Sequence, residues 1–96
     1  MATSKEYKAY IEDQLKGLDI SFKAMMGEYL LYYKGVIVGG IYDDRLLVKE
    51  TKTNEGYNME EQIPYPTGKP MYAVEDVDNI EQLKEIIKVT YEGVKK

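Results

Sequence analysis

Between Glu28 and Glu50 the chain reads EYLLYYKGVIVGGIYDDRLLVKE, with apolar residues gathered in three short blocks broken at Lys34-Gly35 and Asp43-Asp44. Short blocks rich in β-branched and aromatic residues, bounded by glycine or aspartate, are strand signals. A two-residue break with a glycine that tolerates positive φ closes a hairpin. The pattern predicts strands at Glu28–Tyr33, Val36–Tyr42 and Arg45–Glu50 in an antiparallel meander, with ISFKAMMG before them and MYAVED after them as further strands. Elsewhere the period is helical. Tyr7, Ile11, Leu15 and Leu18 form one stripe, predicting a helix from about Lys5 to Lys16 that is stopped by Gly17. Thr3 or Ser4 is its cap, and Thr3-x-x-Glu6 has capping-box spacing. Asp78-x-x-Glu81 opens a second helix, whose stripe is Ile80, Leu83, Ile87, Tyr91 and Val94. Between them KTNEGYNMEEQIPYPTGKP reads as a short helix or irregular arm and then a loop, because Pro64, Pro66 and Pro70 interrupt regular pairing. The expected fold is α+β: two layers, with helices packed on one face of an antiparallel β-sheet, in a single domain over 1–96.

Strand alternation sorts the meander into two faces. With a strict two-residue register at each break, Leu30, Tyr32, Ile37, Gly39, Ile41, Leu46 and Val48 share one face, which carries no charge except Glu28 at its margin. Tyr29, Leu31, Tyr33, Val36, Val38, Gly40, Tyr42, Arg45, Leu47 and Lys49 share the other. Charged side chains are rarely buried unpaired, so the first face is expected beneath the helices and the second toward solvent or a partner. Two readings of that second face stay open. The 52–70 arm or the last helix covers it internally, or it is a docking surface in which tyrosines with a basic rim match interface composition. Gly39-Gly40 in mid-strand signals a bulge or a close approach.

Composition narrows the chemistry. The chain has 96 residues, 44% hydrophobic and 31% charged, which describes one folded domain. It contains no cysteine, histidine or tryptophan. Disulfides and thiol nucleophiles are excluded, and zinc loses its two best ligands. General acid–base catalysis loses its commonest agent. Asp43-Asp44 is expected to be turn chemistry and EDVDNIE helix-start electrostatics, so no catalytic, cofactor or metal residue is expected. The net charge of −4 argues against direct nucleic-acid binding by this chain. No apolar run is long enough to span a bilayer, so no membrane association is expected and the expected compartment is the cytoplasm.

The block MMGEYLLYYKGVIVGGIYDDRLLVK resembles the signature of the TfoX N-terminal domain family without a gap from Met26 to Lys49, keeping Gly27, Tyr29, Leu31, Tyr32, Gly35, Asp43, Asp44, Arg45, Leu46 and Lys49. MYAVEDVDNIEQLKEIIK resembles that family's later strand, acidic bend and final helix. The resemblance implies a two-layer α+β fold and a non-enzymatic role through protein contacts in transcriptional regulation of competence-type genes. Many members of that family add a helical C-terminal domain, whereas this chain ends about where the first domain would stop, so a stand-alone domain is expected. The expected partner is another protein or a second copy, as in a homodimer. The expected contact residues are Tyr29, Tyr33, Tyr42, Arg45 and Lys49, on the outer face. The alternative is a small-molecule-binding domain with its pocket between sheet and helices.

Overall fold

The computed structural model describes residues 3–95. In chain order the elements are α1 (Lys5–Gln14), β1 (Ile20–Met25), β2 (Glu28–Tyr33), β3 (Val36–Ile41), β4 (Leu46–Val48), a 3₁₀ turn at Glu55–Tyr57, β5 (Glu60–Gln62), β6 (Met71–Ala73) and α2 (Ile80–Val94). The strands form one six-stranded antiparallel sheet in the order β1-β2-β3-β4-β6-β5. Ile11 of α1, Leu15 at its C-terminal cap, and Leu83, Ile86 and Ile87 of α2 meet the same side of the sheet in the main core. The α+β architecture, with both helices on one face, is as the pattern predicts.

Three hairpin turns carry consecutive residues at positive φ: Met26-Gly27 (50° and 88°), Lys34-Gly35 (52° and 80°) and Asp43-Asp44 (53° and 57°). This conformation matches the right-handed twist of the strands it joins. Aspartate tolerates it because its short side chain hydrogen-bonds locally. Asp44 also reaches back, its Oδ1 accepting from the backbone N–H of Ser4 at 2.8 Å.

Ser4 is the cap of α1, its Oγ accepting from the N–H of Tyr7 at 3.1 Å. Thr3 serves another purpose, so the Thr3-x-x-Glu6 box is not formed as expected. Its N–H and Oγ1 donate to Glu28 Oε1 at 3.1 and 2.6 Å, and the same oxygen accepts from the N–H of Asp43 at 3.1 Å. One carboxylate thus ties the start of α1 to the start of β2 and to the β3–β4 turn. The second box shifts by one residue: Asn79 caps α2 by accepting from the N–H of Gln82, while Asp78 accepts from the Tyr10 hydroxyl of α1.

The face assignment needs correction, and a bulge is the reason. Next to the 34–35 turn, Tyr33 pairs with Val36 and Tyr32 with Ile37, as the two-residue register requires. Between Leu31 and Tyr32 the register shifts, and Leu31 pairs with Gly39, Leu30 with Gly40 and Tyr29 with Ile41. One extra residue in β3 therefore inverts β2 relative to the rest of the meander. Leu31, Tyr33 and Val38 lie in the core under the helices, with Tyr29 packed against it. Ile41, Leu46 and Val48 occupy the helix side as expected, because the β3–β4 register follows the acidic turn without a slip. Leu30 packs against the other face instead.

The bulge also explains the glycine pair. A Cβ on Gly39 would run into the carbonyl oxygen of Leu47 and lie 2.8 Å from Val48 Cα. A Cβ on Gly40 would lie 2.6 Å from the carbonyl oxygen of Tyr29 and 2.9 Å from the Tyr42 ring.

A buried polar node fixes α2 to the loop after β4. The side chain of Asn54, fully buried, donates to the Lys49 carbonyl and to Thr90 Oγ1, both at 2.8 Å, and its Oδ1 accepts from the N–H of Thr51 at 3.0 Å. No buried side-chain polar atom among the described residues lacks a partner.

Candidate functional site

The helices leave the other face of the sheet to a different cover. Leu47 and Ala73 point there with Tyr42, flanked by Leu30 and Met71, as a second small apolar cluster. The segment from Pro64 to Pro70 folds over part of this face. Its chain reverses through a turn in which the N–H of Gly68 donates to the carbonyl of Tyr65 at 2.8 Å. A Cβ on Gly68 would lie 3.0 Å from both Pro64 Cγ and the Tyr65 ring, so the turn closes tightly on its own side chains.

Arg45 staples this segment to the sheet. Its Nε donates to the carbonyl of Tyr42 at 3.1 Å, its Nη1 to Gln62 Oε1 at 2.8 Å, and its Nη2 to the carbonyl of Pro64 at 3.3 Å. A guanidinium suits the task because its donors fan out in one plane toward several acceptors.

Between segment and sheet a cleft of about 550 Å³ remains open, within the volume range of small-ligand sites. Tyr42 and Tyr65 form one side, with ring centroids 6.0 Å apart and planes tilted by 55°. Ile37 and Met71 add apolar surface, and Lys49 and Lys69 bring two cations. Among the described residues neither lysine has a carboxylate within salt-bridge distance; the ion pairs join Lys8 to Glu12 and Lys95 to Glu92. Glu50 also lines the cleft. Desolvation, then a hydrogen bond with Glu61 and that residue's negative charge, push the Glu50 carboxyl up to about 7. Burial likewise raises the Tyr42 hydroxyl, helped by Tyr65 and Glu28. Glu50 and Glu61 do not recruit a metal set: among the described residues no three His, Cys, Asp or Glu stand together in a way that would hold an ion.

The expected contact residues do not share a face. Tyr33 is 7% exposed beneath the helices, its ring edge-on to Tyr91 of α2 at 5.0 Å. Tyr29 packs on the helix side too, with Lys8 of α1 5.7 Å from its ring. Tyr42, 6% exposed, is buried on the opposite face. Arg45 is occupied by the 62–64 segment. Only Lys49 stands where an outer-face contact was expected, beside the cleft. A small pocket does lie between sheet and helices, about 240 Å³ where the 57–60 stretch and β6 meet α2, but the 550 Å³ cleft lies on the helix-free side. Tyr65 and Lys69 were missed because a proline-rich loop carries no periodicity to say which way it folds; the paired prolines around YPTGK were the only signal.

No family model matches the chain. It is 33% identical over 94 residues to the "uncharacterized 12.7 kDa protein in trpE 5′ region" of Spirochaeta aurantia, with 94% of this chain and 82% of that protein covered. The two belong to one family. Nearly the whole fold lies within the shared span, so the family likeness extends across helices and sheet alike and is not confined to a single motif. Among the described residues no helix is long and apolar enough to cross a membrane.

Proposed function

We propose that this chain is a TfoX-like domain that acts without catalysing a reaction, by holding a protein partner through the helix-free side of its sheet, in transcriptional regulation. The observation that supports this most is the exposed apolar ridge on the arm over that side. Ile63 is 52% exposed and Tyr65 48%, two residues apart, beside an arm already fixed by Arg45. Aromatic and aliphatic side chains presented on a stiffened segment are what a protein interface uses as anchors, since little ordering entropy remains to be lost on binding. The gapless resemblance from Met26 to Lys49 supports the regulatory setting.

The test is the substitution Ile63→Ser, which leaves the packing of Tyr65 on Tyr42 in place. Retention of a partner, or self-association followed by light scattering, should fall at least tenfold while the thermal midpoint stays within about 3 °C, because exposed positions contribute little to folding. Undiminished association in this variant would remove the ridge from the account.

A second reading is a small-molecule-binding domain. The volume of the cleft and the polar groups converging on it favour this reading.

A further inference from the structure

We propose that the cleft between the sheet and the Pro64–Pro70 segment binds a small ligand that combines one planar ring with one anionic group. The inference rests on the small-molecule reading and names the chemistry that the cleft selects.

Shape comes first. The floor is bare where Gly39 lies in the bulge, since a Cβ there would strike the backbone of β4 and no larger residue is admissible. The absence of side chains over that backbone, together with the closed turn at 65–68, leaves a slot and not a filled core. Tyr42 is held rigidly across Gly40, whereas Tyr65 is half exposed. Tyr65, backed by the buried Tyr42 ring 6.0 Å away, offers its exposed ring to a planar group, an arrangement worth more than the area alone. Ile37 and Met71 supply apolar contact for the rest of the ring.

Charge selects the second group. Lys49 and Lys69 both line the cleft, one from just after β4 and one from the loop, and among the described residues neither is in a salt bridge. Lys49 is fixed at its backbone, its N–H donating to the carbonyl of Val38 at 2.8 Å. Glu50 also lines the cleft, and its carboxyl, raised to about 7 beside Glu61, offsets the two lysines only in part. Two unpaired ammonium groups within one concave surface favour an anion over a neutral or cationic ligand. A carboxylate and a phosphate satisfy the lysines equally, so an aromatic carboxylate and a mononucleotide are two sources of one chemistry.

The experiment is an NMR titration of the whole chain with naphthoate, with adenosine monophosphate, and with naphthylmethanol as the neutral counterpart. At least one of the two anions should shift amides of the 37–42 and 64–70 segments saturably, and the responding arm identifies the source. The neutral alcohol should bind about tenfold more weakly or worse. Lys49→Gln and Lys69→Gln should each weaken the anion by about tenfold, the usual effect of one lost charge-assisted contact, with amide spectra otherwise unchanged. Equal binding of naphthylmethanol and naphthoate would overturn the anion selection while leaving a ligand pocket in place. Anion binding that is indifferent to both lysine substitutions would overturn it too. If none of the three compounds shifts the cleft amides, the small-molecule reading falls together with the inference.

Discussion

Glu28 binds three donors with one oxygen, and at this scale each side chain can be judged by what it would leave behind. Tyr33 fills space between β2 and α2, so truncation removes a ring from a closed core and a stacking partner from Tyr91. Tyr33→Ser should cost about 3 kcal/mol, in the range of large-to-small core changes, read from urea unfolding. An exposed contact tyrosine would cost almost nothing, so the two assignments of this residue separate cleanly. Asn54→Ala leaves the Lys49 carbonyl and the Thr90 hydroxyl without their buried partner, and should cost about 2–3 kcal/mol by the same measurement. Glu50 gives a pH signature. Its carboxyl is raised from the ordinary 4.5 to about 7 in the folded chain, so the folded state holds the proton more tightly than the unfolded state. Stability should therefore decline as pH rises from the ordinary carboxyl range through about 7, and stay level above it. Glu50→Gln should remove that decline: the variant should match the parent near pH 4 and exceed it near pH 8 in chemical denaturation. A parent that gains stability across that interval would contradict the carboxyl pair.

Elements obey a different arithmetic, in which propensity competes with docking. Gly93 lies in the last turn of α2, where alanine would gain up to about 1 kcal/mol of helix propensity. A Cβ there would overlap Thr53 Oγ1 and stand 2.5 Å from Thr51 Cβ, an atom that moves only with its backbone. Docking wins, and Gly93→Ala should lower the thermal midpoint by several degrees, as about 1 kcal/mol does in a domain of this size. The local signals for most elements were legible: the stripe of α1, the two turns with Gly35 and Asp43-Asp44, and Leu83 and Ile87 in the stripe of α2, although Ile80 is exposed and the buried Ile86 and Thr90 lie outside that stripe. β5 was not legible. Glu60-Glu61-Gln62 has no apolar alternation, and it is a strand because β6 offers it an edge to pair with. The cap of α2 moved from Asp78 to Asn79 because Asp78 is drawn to Tyr10 across the fold.

For the molecule as a whole, the helices take one side of the sheet, and the side without helices, partly covered by the arm, carries the features that bear on function. Arg45 joins the meander to the arm, so Arg45→Ala should release the 62–70 segment while the helix side persists. Hydrogen exchange should accelerate in β5 and the arm and remain slow in α2 and β4, since local opening follows the loss of local contacts. Such a variant should also lose any ligand or partner held between arm and sheet.

Local patterns along the chain set most of the elements, their order and the tight turns, because these depend on neighbours a few residues apart: a stripe every third or fourth position, a glycine at positive φ, an aspartate able to satisfy its own backbone. The sequence by itself marked Gly39-Gly40 as a bulge or a close approach, and the register shift falls beside Gly39. Tertiary structure decided which side of β2 is buried. Alternation carries a face assignment along a hairpin only while residues pair one to one, and a single extra residue at the bulge inverted everything beyond it. It also decided that the proline arm returns over the sheet, since that placement is set by the guanidinium of Arg45 and the rings of Tyr42 and Tyr65, which meet only once the chain has folded.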